Sequence, residues 1–233
     1  MNRLSSIGLA LAAMIGHANA QLIPVDMTLV LAVDSSGSVN ADEFKLQMAG
    51  IAAAFRHPTV LQAIQRGPRG AIAVTLFEWS SVGQQHVSLP WTMVRDVESA
   101  DLVAEAIESA PRFVVGGSTS ISDALRYAGG LLAKSGFDTE RRVIDVSGDG
   151  SNNNGPSPDG QRDELVAQGI VVNGLAILND ESNLREYFER SVIGGVGSFV
   201  MVADDYTSFA NSILAKLITE IASTNYVQTA AAQ

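Results

Sequence analysis

The chain reads as an α/β protein, a doubly wound and mostly parallel six-stranded sheet flanked by helices, on three observations. Its short apolar runs are rich in Val and Ile and nearly continuous, as in strands covered on both faces. Segments with apolar residues at helical spacing separate those runs. Polar, glycine-bearing loops follow several of them, where open α/β sheets carry ligands, beyond the carboxyl ends of the strands.

The elements follow in order from Val25 to Ser223. Met27–Val33 is a buried strand. Asn40 with Glu43 has the form of a capping box, and Phe44, Met48, Ile51 and Phe55 then recur on one helical face. Gly70–Phe77 is a second buried strand, and His86–Leu89 a short edge strand stopped by Pro90. Ser99 caps a helix whose inner face comprises Leu102, Val103, Ala106 and Ile107. Ser120 with Asp123 opens the next, with Ile121, Ala124, Leu125, Ala128, Leu131 and Leu132 inward. Arg142–Val146, Ile170–Ile177 and Ser198–Val202 complete the strands. A helix starts at Ser157-Pro158 and stops at Gly169, because Pro suits a first turn and Gly a terminus. Asn183–Arg190 fits a brief helix and Tyr206–Ala222 a long terminal one.

The first twenty residues stand apart. Arg3, the apolar run Ile7–Ile15 and the small-residue pattern Ala18-Asn19-Ala20 have the form of a secretory signal peptide cleaved after Ala20. The expected organisation is residues 1–20 as leader, 21–224 as one domain and 225–233 as a flexible tail, in the periplasm or outside the cell. No later run approaches membrane-spanning length, so no membrane insertion is expected. The chain has no cysteine, which excludes disulfides and leaves its core to packing. A net charge of −10 repels phosphate backbones, so nucleic acid is excluded as a partner, and it favours recruitment of a cation.

Three loops carry the chemistry. Asp34-Ser35-Ser36-Gly37-Ser38 closes the first strand, and alternate positions on an extended loop let Asp34, Ser36 and Ser38 converge. Gly116-Gly117-Ser118-Thr119-Ser120 leads into a helix, and Ser147-Gly148-Asp149-Gly150 leaves the strand Arg142–Val146. The five side chains Asp34, Ser36, Ser38, Thr119 and Asp149 offer only oxygen. Such a set suits hard divalent cations, Mg2+ first, with Mn2+ or Ca2+ as alternatives. Each residue also has a plain structural reading: Asp34, Ser38 and Asp149-Gly150 as turn residues, Thr119 as a helix cap.

Taken together, Asp34-x-Ser36-x-Ser38, Thr119 and Asp149-Gly150 resemble the metal-ion-dependent adhesion site (MIDAS) of von Willebrand factor A (VWA) domains. Glu78-Trp79-Ser80 and Asn152-Asn153 are similar to a branch of secreted bacterial VWA proteins of unassigned function. The resemblance covers about Val25 to Ala222. It implies a Rossmann-like sheet, a divalent cation and a protein partner that offers a Glu or Asp to that cation, with no catalytic residues. By the residues themselves, Trp79 either flanks a ligand surface or covers the rim of the core, and the Asn152–Asn154 amides bond their own loop.

Enzymatic readings find less. Beyond residue 20 the only histidines are His57 and His86, neither at a strand's carboxyl end, and no Gly-x-Ser-x-Gly or phosphate-binding glycine motif is present. A Mg2+-dependent phosphohydrolase with Asp34 as nucleophile is the enzymatic alternative, although Ser36 stands where such enzymes place a second carboxylate. A metal-independent periplasmic binding or scaffold protein is the other.

Overall fold

The computed structural model describes residues 22–222, so the expected leader and tail lie outside the described residues. In chain order the elements are β1 (Ile23–Pro24), β2 (Met27–Asp34), α1 (Ala41–Arg56), α2 (Pro58–Gln65), β3 (Ile72–Trp79), β4 (Gln85–Val94), α3 (Val97–Ser109), α4 (Ile121–Leu132), β5 (Phe137–Asp138), β6 (Arg142–Gly148), α5 (Pro158–Ala167), β7 (Ile170–Ile177), α6 (Leu184–Ser191), β8 (Val200–Ala203) and α7 (Phe209–Ala222). Six strands form one sheet in the order β4-β3-β2-β6-β7-β8, and β1 pairs with β5 in a separate short ribbon. All neighbours in the large sheet are parallel except β3 and β4. The expected fold class is therefore observed.

Residue parity along the central strand sorts the core into two layers, because successive side chains leave a strand on opposite faces. Leu29, Leu31 and Val33 of β2 pack with Phe44, Ile51 and Phe55 of α1, Val103 and Ile107 of α3, and Phe209, Ile213 and Leu217 of α7. Val30 and Ala32 face the other way, toward Ile121, Leu125 and Ala128 of α4, Leu165 of α5, and Leu184 and Phe188 of α6. With both faces covered, all eight residues of β2 and all eight of β3 are buried. The near-continuous apolar runs have this origin.

Several local expectations are corrected. β4 does not stop at Pro90 but runs through it to Val94. It is an edge strand, its register with β3 shifts between Val74 and Phe77, and Thr75 Oγ1 donates to the Leu89 carbonyl at 2.7 Å. A proline is tolerated at such an irregular edge because its missing N–H breaks no required ladder bond. α3 is capped by Asp96, with Ser99 three residues later as the reciprocal partner: Ser99 N donates to Asp96 Oδ1 at 2.9 Å and Asp96 N to Ser99 Oγ at 3.1 Å. The face packed inward is Ala100, Val103, Ala104 and Ile107, while Leu102 is 59% exposed and Ala106 is also exposed. α2 is an addition to the expected elements. It begins at Pro58, a suitable first helical residue, with His57 Nδ1 accepting from Thr59 N at 3.2 Å. The capping box on α1 forms as read, Asn40 accepting from Glu43 N and Glu43 from Asn40 N.

α1 and α7 approach closely at Gly50, where an added Cβ would lie 2.9 Å from the Phe209 ring. Phe209 is fully buried in that layer. Phe209→Ala should destabilise the fold by about 3–5 kcal/mol, the usual cost of emptying a buried phenyl site. Urea denaturation followed by circular dichroism measures it, and a loss near zero would mean that α7 is not packed as described.

Candidate functional site

The parallel strands β2 and β6 are direct neighbours, so the loops leaving their carboxyl ends are adjacent by construction. Asp34 is the last residue of β2, and Asp149 directly follows β6. Their side chains are 0% and 1% exposed. Gly148 lets the two strand ends close on each other, since a Cβ there would stand 3.0 Å from Asp34 Oδ2.

All five residues singled out from the sequence come together. Ser36 N donates to Asp34 Oδ1 at 2.8 Å. The Ser36 and Ser38 hydroxyls lie 3.3 Å apart, Thr119 Oγ1 reaches Ser36 Oγ at 3.5 Å, and Ser38 Oγ donates to Asp149 Oδ1 at 2.7 Å. Asp34 Oδ2 is buried with no hydrogen-bond partner. Among the described residues no group of three or more His, Cys, Asp or Glu side chains is placed to hold a metal. The site is instead two carboxylates beside a chain of three hydroxyls that ends on Asp149. Thr119 is not the cap of α4; that position falls to Ser120, whose side chain makes no capping bond.

The loops are held by residues that sequence reasoning passed over. Arg112 donates through Nη2 to the carbonyls of Ser35 and Val39, both at 2.9 Å, and through Nε to Ser35 Oγ at 2.8 Å. Its guanidinium also lies over the Phe44 ring. Gln47 Nε2 donates to the Asp34 carbonyl at 3.1 Å. Tyr206, just before α7, donates its hydroxyl to Asp149 Oδ2 at 2.9 Å. None belongs to a local motif; each acts across long sequence separations. Gly117 has φ +98°, and its carbonyl accepts from Gly37 N at 2.9 Å, which joins the first and second loops through main chain.

Glu78 and Trp79 are placed differently from a ligand-flanking pair. Trp79 is wholly buried in the core layer beneath α4. Glu78 accepts from Phe113 N at 2.9 Å and Val114 N at 2.8 Å, anchoring the segment that carries Arg112. The asparagines bond mainly to neighbouring loops. Asn153 Oδ1 accepts from Thr119 N at 2.8 Å, Asn152 Oδ1 from Ser122 N at 3.3 Å, and Asn154 Oδ1 from Val82 N at 2.9 Å. Only the Asn152 Nδ2 bonds to the Asn154 and Pro156 carbonyls stay within the loop.

The electrostatics follow from burial. Desolvation, then the charge of Asp149, pushes the Asp34 carboxyl up to about 7, against the opposing pull of the Ser36 N–H. Burial and the Asp149 charge likewise raise the Tyr206 phenol, which stays protonated and remains a donor.

A family model described as a protein of unknown function (DUF1194) matches residues 24–225. The chain belongs to the DUF1194 family. Among solved structures its fold is that of VWA domains. The proximal thread matrix protein PTMP1 of mussel byssus is 16% identical with a TM-score of 0.62, over 84% of this chain and 48% of that one. The pilus adhesin SpaC of Lactobacillus rhamnosus GG is 16% identical with a TM-score of 0.61, over 85% and 31%. A von Willebrand factor type A protein of Catenulispora acidiphila is 14% identical with a TM-score of 0.57, over 86% and 43%. The chain thus spans less than half the length of these neighbours. No curated protein matches the DUF1194 chain.

Two outcomes test the site's electrostatics in this DUF1194 domain. Tyr206→Phe removes one donor to a buried carboxylate and should cost about 1–3 kcal/mol in urea denaturation; an unchanged midpoint would remove Tyr206 from the account. In EDTA, the folded chain holds a proton on Asp34 that the unfolded chain, with an aspartate near 3.8, has already released. Stability from that proton is complete below the unfolded value and is lost as pH rises through about 7. Melting temperature should therefore fall across this window, and fall less in Asp34→Asn. Parallel profiles for the two proteins would contradict the assignment.

Proposed function

We propose that this domain is an interaction module that holds a divalent cation among Asp34, Ser36, Ser38, Thr119 and Asp149 and, through it, takes a Glu or Asp side chain of a protein partner. The observation that carries the reading is Asp34 Oδ2, a buried carboxylate oxygen without a donor beside a second buried carboxylate. Such an arrangement is costly in a low-dielectric setting, and a cation offsets both the missing bond and the repulsion. The donor set is all oxygen, which favours Mg2+, with Mn2+ or Ca2+ as alternatives. The similarity to mussel PTMP1, described with a zinc-occupied MIDAS motif, supports a divalent cation in general.

The bound ion would supply an electrophilic centre for an incoming carboxylate. The chain's own residues do the rest. Asp34 and Asp149 balance the ion's charge, the three hydroxyls give neutral oxygens, and Arg112, Asn153 and Tyr206 hold the loops and Asp149 in place. Ser38 stands at the surface while Asp34 is covered, so the site is open from the hydroxyl side. The covered Asp34 carboxylate supports binding over a role as phosphohydrolase nucleophile. The exposed apolar residues Val82, Phe113 and Val115, on the loops at this edge, would flank the partner's acid. The resemblance of SpaC, a pilus adhesin, fits an interaction role. Among the described residues no helix is long and apolar enough to cross a membrane. We place the domain outside the cytoplasm, its leader removed after Ala20.

Adding Mg2+ or Mn2+ to EDTA-treated protein should raise its melting temperature, by a stabilisation of about 2.7 kcal/mol at a hundredfold excess over the dissociation constant. Asp34→Ala and Asp149→Ala should abolish the response. Pull-downs from native extract should retain the partner only with metal present and with Asp34 intact. Equal retention with EDTA or with Asp34→Ala would overturn the metal-bridged reading.

A further inference from the structure

On the sheet face opposite α4, away from the loops just described, lies a second group of buried charges. Asp145 projects from β6, Asn173 from β7, and Lys216 and Glu220 from successive turns of α7. All are almost completely buried, with Lys216 and Glu220 at 0% exposure. Lys216 Nζ lies 2.7 Å from Asp145 Oδ1 and 2.6 Å from Glu220 Oε1. Glu220 Oε1 also accepts from Asn173 Nδ2 at 2.7 Å, and the Phe199 ring lies 5.1 Å from Nζ.

An ordinary buried ion pair is retained by hydrogen bonds that satisfy its remaining lone pairs. Asp145 lacks them. Its Oδ1 meets only Lys216 Nζ, at 2.7 Å, and its Oδ2 is buried with no hydrogen-bond partner. An amine thus stands against a poorly satisfied carboxyl group, with a second carboxyl touching the amine and an aromatic ring over it, which places side by side the groups that a condensation uses. The buried charges of Lys216 and Glu220 would give way to a neutral amide and a neutral carboxyl group, and their desolvation cost would disappear.

We propose that Lys216 Nζ and Asp145 Cγ are joined by an intramolecular amide bond that forms after folding, with Glu220 as the group that moves the protons. The Lys216 ammonium passes one proton to the Glu220 carboxylate. The freed Nζ electron pair attacks Cγ of the protonated Asp145 carboxyl and forms the N–C bond. Glu220 then delivers a proton to the departing Asp145 hydroxyl and takes one from nitrogen, so the Cγ–O bond breaks and water leaves. The products are a secondary amide, one water and a protonated Glu220; atoms and charge balance, and no oxidant or co-reactant is needed. Asp145 enters this step protonated because burial, reinforced by the charge of Glu220, raises its carboxyl well above the usual range. Asn173 holds the Glu220 oxygen toward the amine. In a chain with no cysteine, the bond would tie α7 to the central sheet without a disulfide.

Mass spectrometry decides the matter. The denatured full chain, with its N-terminus read from the same digest, should be lighter by one water than its sequence requires. Trypsin should fail to cut after Lys216 and should release a branched peptide joining the Asp145 and Lys216 segments. Lys216→Arg and Asp145→Ala should carry the full mass, and Glu220→Gln, which keeps both bonding partners, should gain the link more slowly or not at all. A wild-type chain of full mass, cleaved normally at Lys216, overturns the proposal even if every variant misfolds. So does a water loss mapped to Asp149-Gly150 as a cyclic imide, or an ammonia loss mapped to Asn173.

Discussion

Two buried carboxyl groups meet at the ends of adjacent strands, and much of the surrounding loop structure is arranged about the cost of that meeting. Asp34 ends β2 and Asp149 follows β6, so the strand pairing itself brings the charges together. Burial alone disfavours each charge, and proximity adds repulsion. The protein offsets part of this with the Ser36 N–H on Asp34 and the Ser38 and Tyr206 hydroxyls on Asp149. One Asp34 oxygen is left with nothing. A carboxylate oxygen of this kind, with only oxygen donors around it, suits a hard cation.

Holding that arrangement requires a rigid frame, and the frame is built from contacts distant in sequence. Arg112 ties down the carbonyls of the first loop, while Glu78 accepts from the main-chain N–H groups of Phe113 and Val114 to keep Arg112 in place. Asn153 fixes the main chain of Thr119 from the third loop. Tyr206 connects Asp149 to the start of α7, whose other end is anchored by the buried Lys216 group. The edge that carries Asp34 and Asp149 and the helix α7 are thus parts of one packed unit.

The sheet was legible in the sequence because covering both faces leaves a continuous apolar signature, and the three site loops because each directly ends a strand or starts a helix. What escaped reading has physical causes. Pro90 stops a strand only where its N–H is needed, and at an irregular edge it is not. Asp96 and Ser99 are both good caps, and on α3 the apolar positions fit two neighbouring faces, of which packing against the sheet buries the one with Ala100 and leaves Leu102 outside. Arg112, Gln47 and Tyr206 were invisible because their partners are main-chain or side-chain atoms brought near only by the fold. Trp79 was read with two outcomes, and the burial of the β3 terminus under α4 selects the core. Lys216 and Glu220 sit at a spacing that also suits a solvated helical ion pair, and only the position of α7 against β6 and β7 buries them.

The central claim is that Asp34, Ser36, Ser38, Thr119 and Asp149 form one cation site. Crystals grown with Mn2+ and measured for its anomalous scattering test it most directly. The account predicts a single strong anomalous peak bounded by Asp34 Oδ2 and the Ser36, Ser38 and Thr119 hydroxyls, lost in Asp34→Ala. A map without a peak there, or with manganese bound only elsewhere on the acidic surface, would contradict it.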